Sequence, residues 1–173
     1  AGIQHVAGID EFPTEKWDAI IAINMSSSFH TTAAALPLMR KQGWGRVVNI
    51  ASAHGLTASP YKSAYVAAKH GVVGLTKVTA LETAQEPITA NAICPGSVEG
   101  PRMEGVLARE AAAKGMTRDQ VYEGYASGTS MRSFVEARDV ANMAVFLGSD
   151  GARLVSGQVI AVDGHTENPD PKL

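Results

Sequence analysis

Ser52, His54, Lys62, Tyr65 and Lys69 set a hydroxyl, an imidazole, a phenol and two ammonium groups within one short stretch of chain. Tyr65 and Lys69 are four residues apart, so on a helix they share a face, and Lys62, three before Tyr65, joins them. Ser52 and His54 share one side of an expected extended segment. A phenol titrates near pH 10 and is a poor base at neutrality, but an adjacent ammonium favours its phenolate. Lowering such a pKa by roughly three units takes roughly 4 kcal/mol, which one lysine and a cationic cofactor can supply together. The set suits reversible proton transfer to an alcohol or carbonyl oxygen, with Ser52 hydrogen-bonded to that same oxygen.

Alternating helix and strand must position these groups. Pro13-Thr14 opens a helix predicted to run to about Gln42, with Gly43 as its stop. Arg46–Ile50, Ile88–Ile93 and Gln158–Val162 read as strands, and 62–84 and Ala137–Leu147 as helices. Strands separated by helices imply parallel βαβ connections and an α/β fold. The stretch from Pro101 to Tyr125 is richer in charge and alanine.

The chain has 173 residues, 45% of them hydrophobic, and a net charge of -2, which suffices for one core and argues against a nucleic-acid footprint. No apolar run is long enough to span a bilayer and no signal-peptide pattern opens the sequence, so no membrane partner and a cytoplasmic setting are expected. The lone Cys94, before Pro95-Gly96, reads as a buried small hydrophobe. His5, His30, His54, His70 and His165 have no metal-ligand spacing, so no metal is expected.

In these motifs the chain resembles the short-chain dehydrogenase/reductase family. Tyr65 and Lys69 match its Tyr-x-x-x-Lys signature, Ser52 lies thirteen residues upstream, and Asn24 stands in Ile-Asn-Met. Asn49-Ile-Ala-Ser52, Asn91-Ala-Ile-Cys-Pro-Gly96 and Ser156 to Gly164 follow in family order. The resemblance implies the C-terminal part of a Rossmann-like doubly wound parallel sheet with flanking helices. It implies a single incomplete domain over 1–173, with 101–127 a helical substrate lid. It assigns Tyr65 as acid/base, Lys69 as its electrostatic partner and ribose ligand, Ser52 as the oxygen-orienting hydroxyl, and Asn24 as support for a water-held proton relay. Backbone at Pro95, Gly96 and Val98 would meet the nicotinamide amide. Ala1 and Gly2 resemble the end of the family's Asn-Asn-Ala-Gly segment and would also touch the cofactor.

The family usually opens with a strand, a glycine-rich turn and a helix that receive the cofactor pyrophosphate, and no such opening is present. The chain is therefore expected to be the C-terminal part of a longer protein or a truncated product. NAD is the expected cofactor, with NADP left open because the segment that reads the adenosine ribose is missing. The family packs the helices through Asn24 and Tyr65 against counterparts in another subunit. A homo-oligomer, tetramer or dimer, is thus implied, and a catalytically silent oligomerisation fragment is the alternative.

Within the family, the stretch from Ala1 to Pro95 is most similar to bacterial D-3-hydroxybutyrate dehydrogenases. Gln4, His54 and Lys62 match the positions that bind a small carboxylate there, which points to a small hydroxy acid or its keto form. After Gly96 the pattern departs. Ser97, Gly100 and Val106 stand where that group has an aromatic residue, a threonine and a carboxylate-binding glutamine. An uncharged alcohol or ketone is the alternative substrate.

Overall fold

The computed structural model describes residues 2–167. Three parallel strands, β1 (Gly45–Ile50), β2 (Ile88–Pro95) and β3 (Val159–Val162), form one sheet in the order β1-β2-β3. Val47 pairs opposite Ala90, and Ile93 opposite Ile160. All of β2 is buried, as a strand covered on both faces requires. Its alternate residues split between two cores. Ala92 and Cys94 pack against Val72 and Val73 of α3 (Ser63–Glu82), while Ile93 packs with Leu147 of α6 (Ala137–Gly148) and with Ala152. Asn91, at β2, ties the chain entering β3: its Nδ2 donates to Val155 O at 2.8 Å and its Oδ1 accepts from Gln158 N at 3.0 Å. The edge of β1 away from β2 carries no strand among the described residues.

The helix expected to run unbroken to Gln42 is instead three pieces. α1 (Thr14–Ile21) passes into a π-helical turn (Ala22–Ser26), and α2 (Ser27–Gln42) continues to Gly43, whose left-handed φ of 72° ends the helix. The π turn lies against α3 at Gly71, where any Cβ would collide with the Met25 sulfur. Glycine at 71 is what lets the two helices approach. A wide turn inside a long helix leaves no mark in side-chain periodicity.

The other departures are local. β2 extends to Pro95, two residues past the expected end, and the helix read over 62–84 runs from Ser63 to Glu82 with Lys62 at its N-cap. The extended segment expected through Ser52 and His54 stops at Ser52; residues Ala53–Gly55 coil into a short 3₁₀ turn. Ser52 itself causes this, because its Oγ accepts the His54 backbone N–H at 3.2 Å.

The region read as a helical lid is two helices, α4 (Pro101–Lys114) and α5 (Arg118–Ala126). Gly115 with φ 64° closes α4, and Thr117 with Gln120 forms a reciprocal capping box that opens α5. Leu107, Ala111, Val121, Tyr125 and Ala126 bury one another with Phe134 in a core of their own. Tyr122 stacks on Phe134 at 4.2 Å between ring centroids.

Candidate active site

The C-terminal ends of β1 and β2 and the first turns of α3 converge on one cavity of about 960 Å³. Parallel strands end together here, and side chains leaving them face the start of the next helix. Ser52 follows β1 in extended conformation and presents its Oγ at the cavity wall. Tyr65 and Lys69 enter from α3. Lys69 is 6% exposed, and its Nζ donates to Ile50 O at the end of β1 at 3.0 Å. That bond fixes the ammonium 5.7 Å from the Tyr65 ring centroid.

Burial lowers the pKa of Lys69 below the ordinary lysine value, and the positive charge of Arg102 lowers it further, against a smaller opposing effect of Cys94. Cys94, fully buried beneath the site, has its thiol pushed up chiefly by burial. It is a packing residue of the β2 core.

His54 sits edge-on to the Tyr65 ring at 5.7 Å between centroids, and its Nε2 lies 2.8 Å from Ser59 Oγ. Lys62 and Gln4 line the same cavity. Gly2, Pro95, Gly96 and Val98 complete the expected cofactor side. At Gly96 a Cβ would lie 2.9 Å from Asp163 Cα, so only glycine lets the end of β2 pass this close to the end of β3. Beyond it, Val98 bridges Val135 through the neighbouring groups: Val135 N donates to Ser97 O and Glu99 N donates to Val135 O, each at 2.9 Å. In a parallel bridge of this kind the N–H and C=O of Val98 point the other way.

Asn24 is the one predicted site residue among those described that does not line the cavity. It is 3% exposed on the π turn, and its amide is engaged at both ends by Ile3: Nδ2 donates to Ile3 O at 2.7 Å and Oδ1 accepts from Ile3 N at 3.0 Å. Its side chain anchors the segment that carries Gly2 and Gln4 to the wall. The expected contact of Ala1 lies outside the described residues.

Sequence reading did not single out Arg102, Glu110 or Tyr125, and all three line the cavity. Tyr125 Oη donates to Glu110 Oε1 at 2.6 Å, joining α5 to α4 at its edge. The available signal was helical spacing, since Arg102, Val106, Arg109 and Ala113 recur on one face of α4. Among the described residues no group of three His, Cys, Asp or Glu side chains gathers to hold a metal ion, and no helix is long and apolar enough to cross a membrane.

Residues 1–165 match a family model described as Enoyl-(Acyl carrier protein) reductase. The chain belongs to the short-chain dehydrogenase/reductase family. It is 50% identical over 165 residues to a D-beta-hydroxybutyrate dehydrogenase of Rhizobium meliloti and covers 95% of this chain and 64% of that relative. It is 54% identical over 169 residues to the enzyme of the same name from Cupriavidus necator, again with 95% of this chain and 64% of the relative covered. The chain thus spans a little under two thirds of the length of these relatives. Among solved structures of the family, actinorhodin polyketide ketoreductase with NADPH superposes with a TM-score of 0.91 at 32% identity, covering 97% of this chain and 65% of that one. Sorbitol-6-phosphate 2-dehydrogenase of Erwinia amylovora superposes with a TM-score of 0.90 at 31% identity, covering 95% and 65%. The Rossmann-like α/β architecture expected of this short-chain dehydrogenase/reductase chain is therefore established.

Proposed function

We propose that this chain carries the catalytic groups of an NAD(P)-dependent oxidoreductase that interconverts a small hydroxy acid and its keto form, with D-3-hydroxybutyrate and acetoacetate as the favoured pair. The observation that carries this reading is the convergence of Ser52, Tyr65 and Lys69 on a cavity whose wall also holds Gln4, His54 and Lys62. When bound, NAD(P) supplies or accepts a hydride; NAD is the favoured form and NADP the alternative.

Tyr65 gives its phenolic proton to the carbonyl oxygen in the reducing direction and takes it from the alcohol in the oxidising one. The Lys69 ammonium, held by Ile50 O, stabilises negative charge on that phenolic oxygen and would hold the ribose hydroxyls of a bound cofactor. Ser52 Oγ accepts from His54 N, which leaves its own proton to donate to the reacting oxygen. The outward-facing N–H and C=O of Val98 suit a carboxamide, which needs one donor and one acceptor, and Gly96 keeps the approach open. Asn24 supports a proton relay from Lys69 through water, as the resemblance implies, while its side chain positions Ile3. Gln4, His54 and Lys62 hold the acid's carboxylate, with Lys62 supplying charge.

The test is NAD-linked turnover by the full-length gene product on acetoacetate and on its uncharged methyl ester. Lys62→Ala should raise KM for acetoacetate roughly ten- to hundredfold, the loss of one charge-assisted hydrogen bond, and leave the ester nearly unaffected. Preference for the ester, or equal effects on both, would overturn the carboxylate assignment in favour of an uncharged alcohol or ketone, a reading that Val106 in the cavity wall favours. The exposed apolar side chains Phe29, Val78 and Leu81 on α2 and α3 support a homo-oligomer, dimer or tetramer, formed through these helices in the cytoplasm. A chain that assembles but binds no NAD in calorimetry would instead be a silent oligomerisation module.

A further inference from the structure

Arg102 stands at an unusual place for a cation. Its guanidinium carbon lies 6.0 Å from the Tyr65 ring centroid, across the ring environment already occupied by the Lys69 ammonium. Its Nη1 comes within 3.6 Å of where a Cβ on Gly2 would be, so the side chain bridges α4 and the segment that Asn24 anchors. Burial chiefly, and after it the positive charge of Arg102, holds the pKa of Lys69 below the ordinary lysine value. Among the described residues no carboxylate forms an ion pair with Arg102. Two like charges around one ring of the cavity, with no carboxylate ion-paired to Arg102, suit an anion from outside the chain.

α4 shows where that anion would reach. Arg102 and Val106 are four residues apart on the face toward the cavity. Val106 offers the cavity only an apolar side chain, and Arg102 presents a charged donor one turn earlier, with a planar fork that matches a carboxylate or phosphate. We propose that Arg102 is an anion-holding residue of this cavity, taking a carboxylate or phosphate oxygen of a bound ligand. The inference rests on the oxidoreductase reading, under which two ligands could bring that oxygen: the acid substrate or the pyrophosphate of the dinucleotide.

The experiment compares the full-length gene product with its Arg102→Ala and Arg102→Lys variants. NADH affinity is read by fluorescence titration, and KM is read for acetoacetate and methyl acetoacetate at saturating cofactor. If the anion is the substrate's, Arg102→Ala raises KM for acetoacetate roughly ten- to hundredfold and leaves the ester and the NADH Kd unchanged. If it is the cofactor's, the NADH Kd rises by that factor and both KM values hold. In either case Arg102→Lys recovers part of the loss, because it restores charge without the fork. An NADH Kd and an acetoacetate KM that both stay within twofold of wild type would overturn the proposal, as would equal effects on acid and ester with NADH binding unchanged. The titration needs no turnover, and calorimetric acetoacetate binding replaces KM if the wild type proves inactive. Failure of the oxidoreductase reading is thereby separated from failure of the role of Arg102.

Discussion

The β1-α3-β2 unit and the α4-α5 pair face each other across one cavity, yet they are built differently. In the first, reacting groups are locked to the sheet: Lys69 is bonded to the end of β1, Ser52 to the turn it starts, and β2 is buried on both faces beneath them. In the second, two helices bury chiefly one another, around Leu107 and Val121, and present Arg102, Val106 and Glu110 to the cavity. Under the proposed function, chemistry that needs fixed distances would be carried by the first unit, and selection among substrates by a pair whose core is its own. Such a pair can change its cavity-facing residues without disturbing the reacting groups.

The largest effect that would sharpen this contrast is Tyr65→Phe in the full-length gene product. It removes only the proton-transferring oxygen, so turnover should fall by roughly 10²–10⁴-fold while the thermal midpoint barely moves. Near-normal rates across the pH range would remove Tyr65 from the acid/base role and with it the division of labour. Next in size, Leu107→Ala should cost about 2–5 kcal/mol within the α4-α5 core. Hydrogen exchange should then speed up in α4 and α5 while β2 amides stay protected; loss of protection in β2 to the same degree would show the two regions to be one cooperative core.

Thr117→Ala removes the capping box that opens α5, at about 1 kcal/mol, again read as local exchange in α5. The smallest expected effect belongs to the β1-α3-β2 unit and depends on pH. Lys69 is held below its ordinary value of 10.5, so the folded chain sheds this proton before the unfolded chain does. Its burial penalty is full below the lowered folded value and shrinks as pH rises from there toward 10.5. The unfolding free energy of wild type relative to Lys69→Met should therefore rise through that window. A pH-independent difference would show that burial does not weigh on the Lys69 charge.

Much of the site was legible because its spacing is short. Tyr65 and Lys69 need only one helical turn to share a face, and Ser52 needs only the end of a strand, so local periodicity places them before any long-range contact is known. A strand over Ile88–Ile93 was legible too, but its burial on both faces was not, because Thr89 and Asn91 alternate with apolar residues there and would suit a half-exposed strand. Asn24 was expected as a site residue, but the π turn that carries it and the pairing of its amide with Ile3 were not legible, because the turn lies against Gly71 and the amide bonds a residue 21 positions away. The curl at His54 was missed for a smaller reason: one serine hydroxyl bonded to a backbone N–H two residues on outweighs an extended pattern.

What the sequence by itself determined is the family, the α/β order of elements and the grouping of Ser52, Tyr65 and Lys69 at one cavity, since all of these are encoded in residue type and near-neighbour spacing. Only the tertiary structure decided that Lys69 is anchored on Ile50, that Asn24 clamps Ile3, and that Arg102 stands over the Tyr65 ring. Each of those contacts joins elements far apart in the chain. Their distances are set by packing between helices and sheet, which no local pattern encodes.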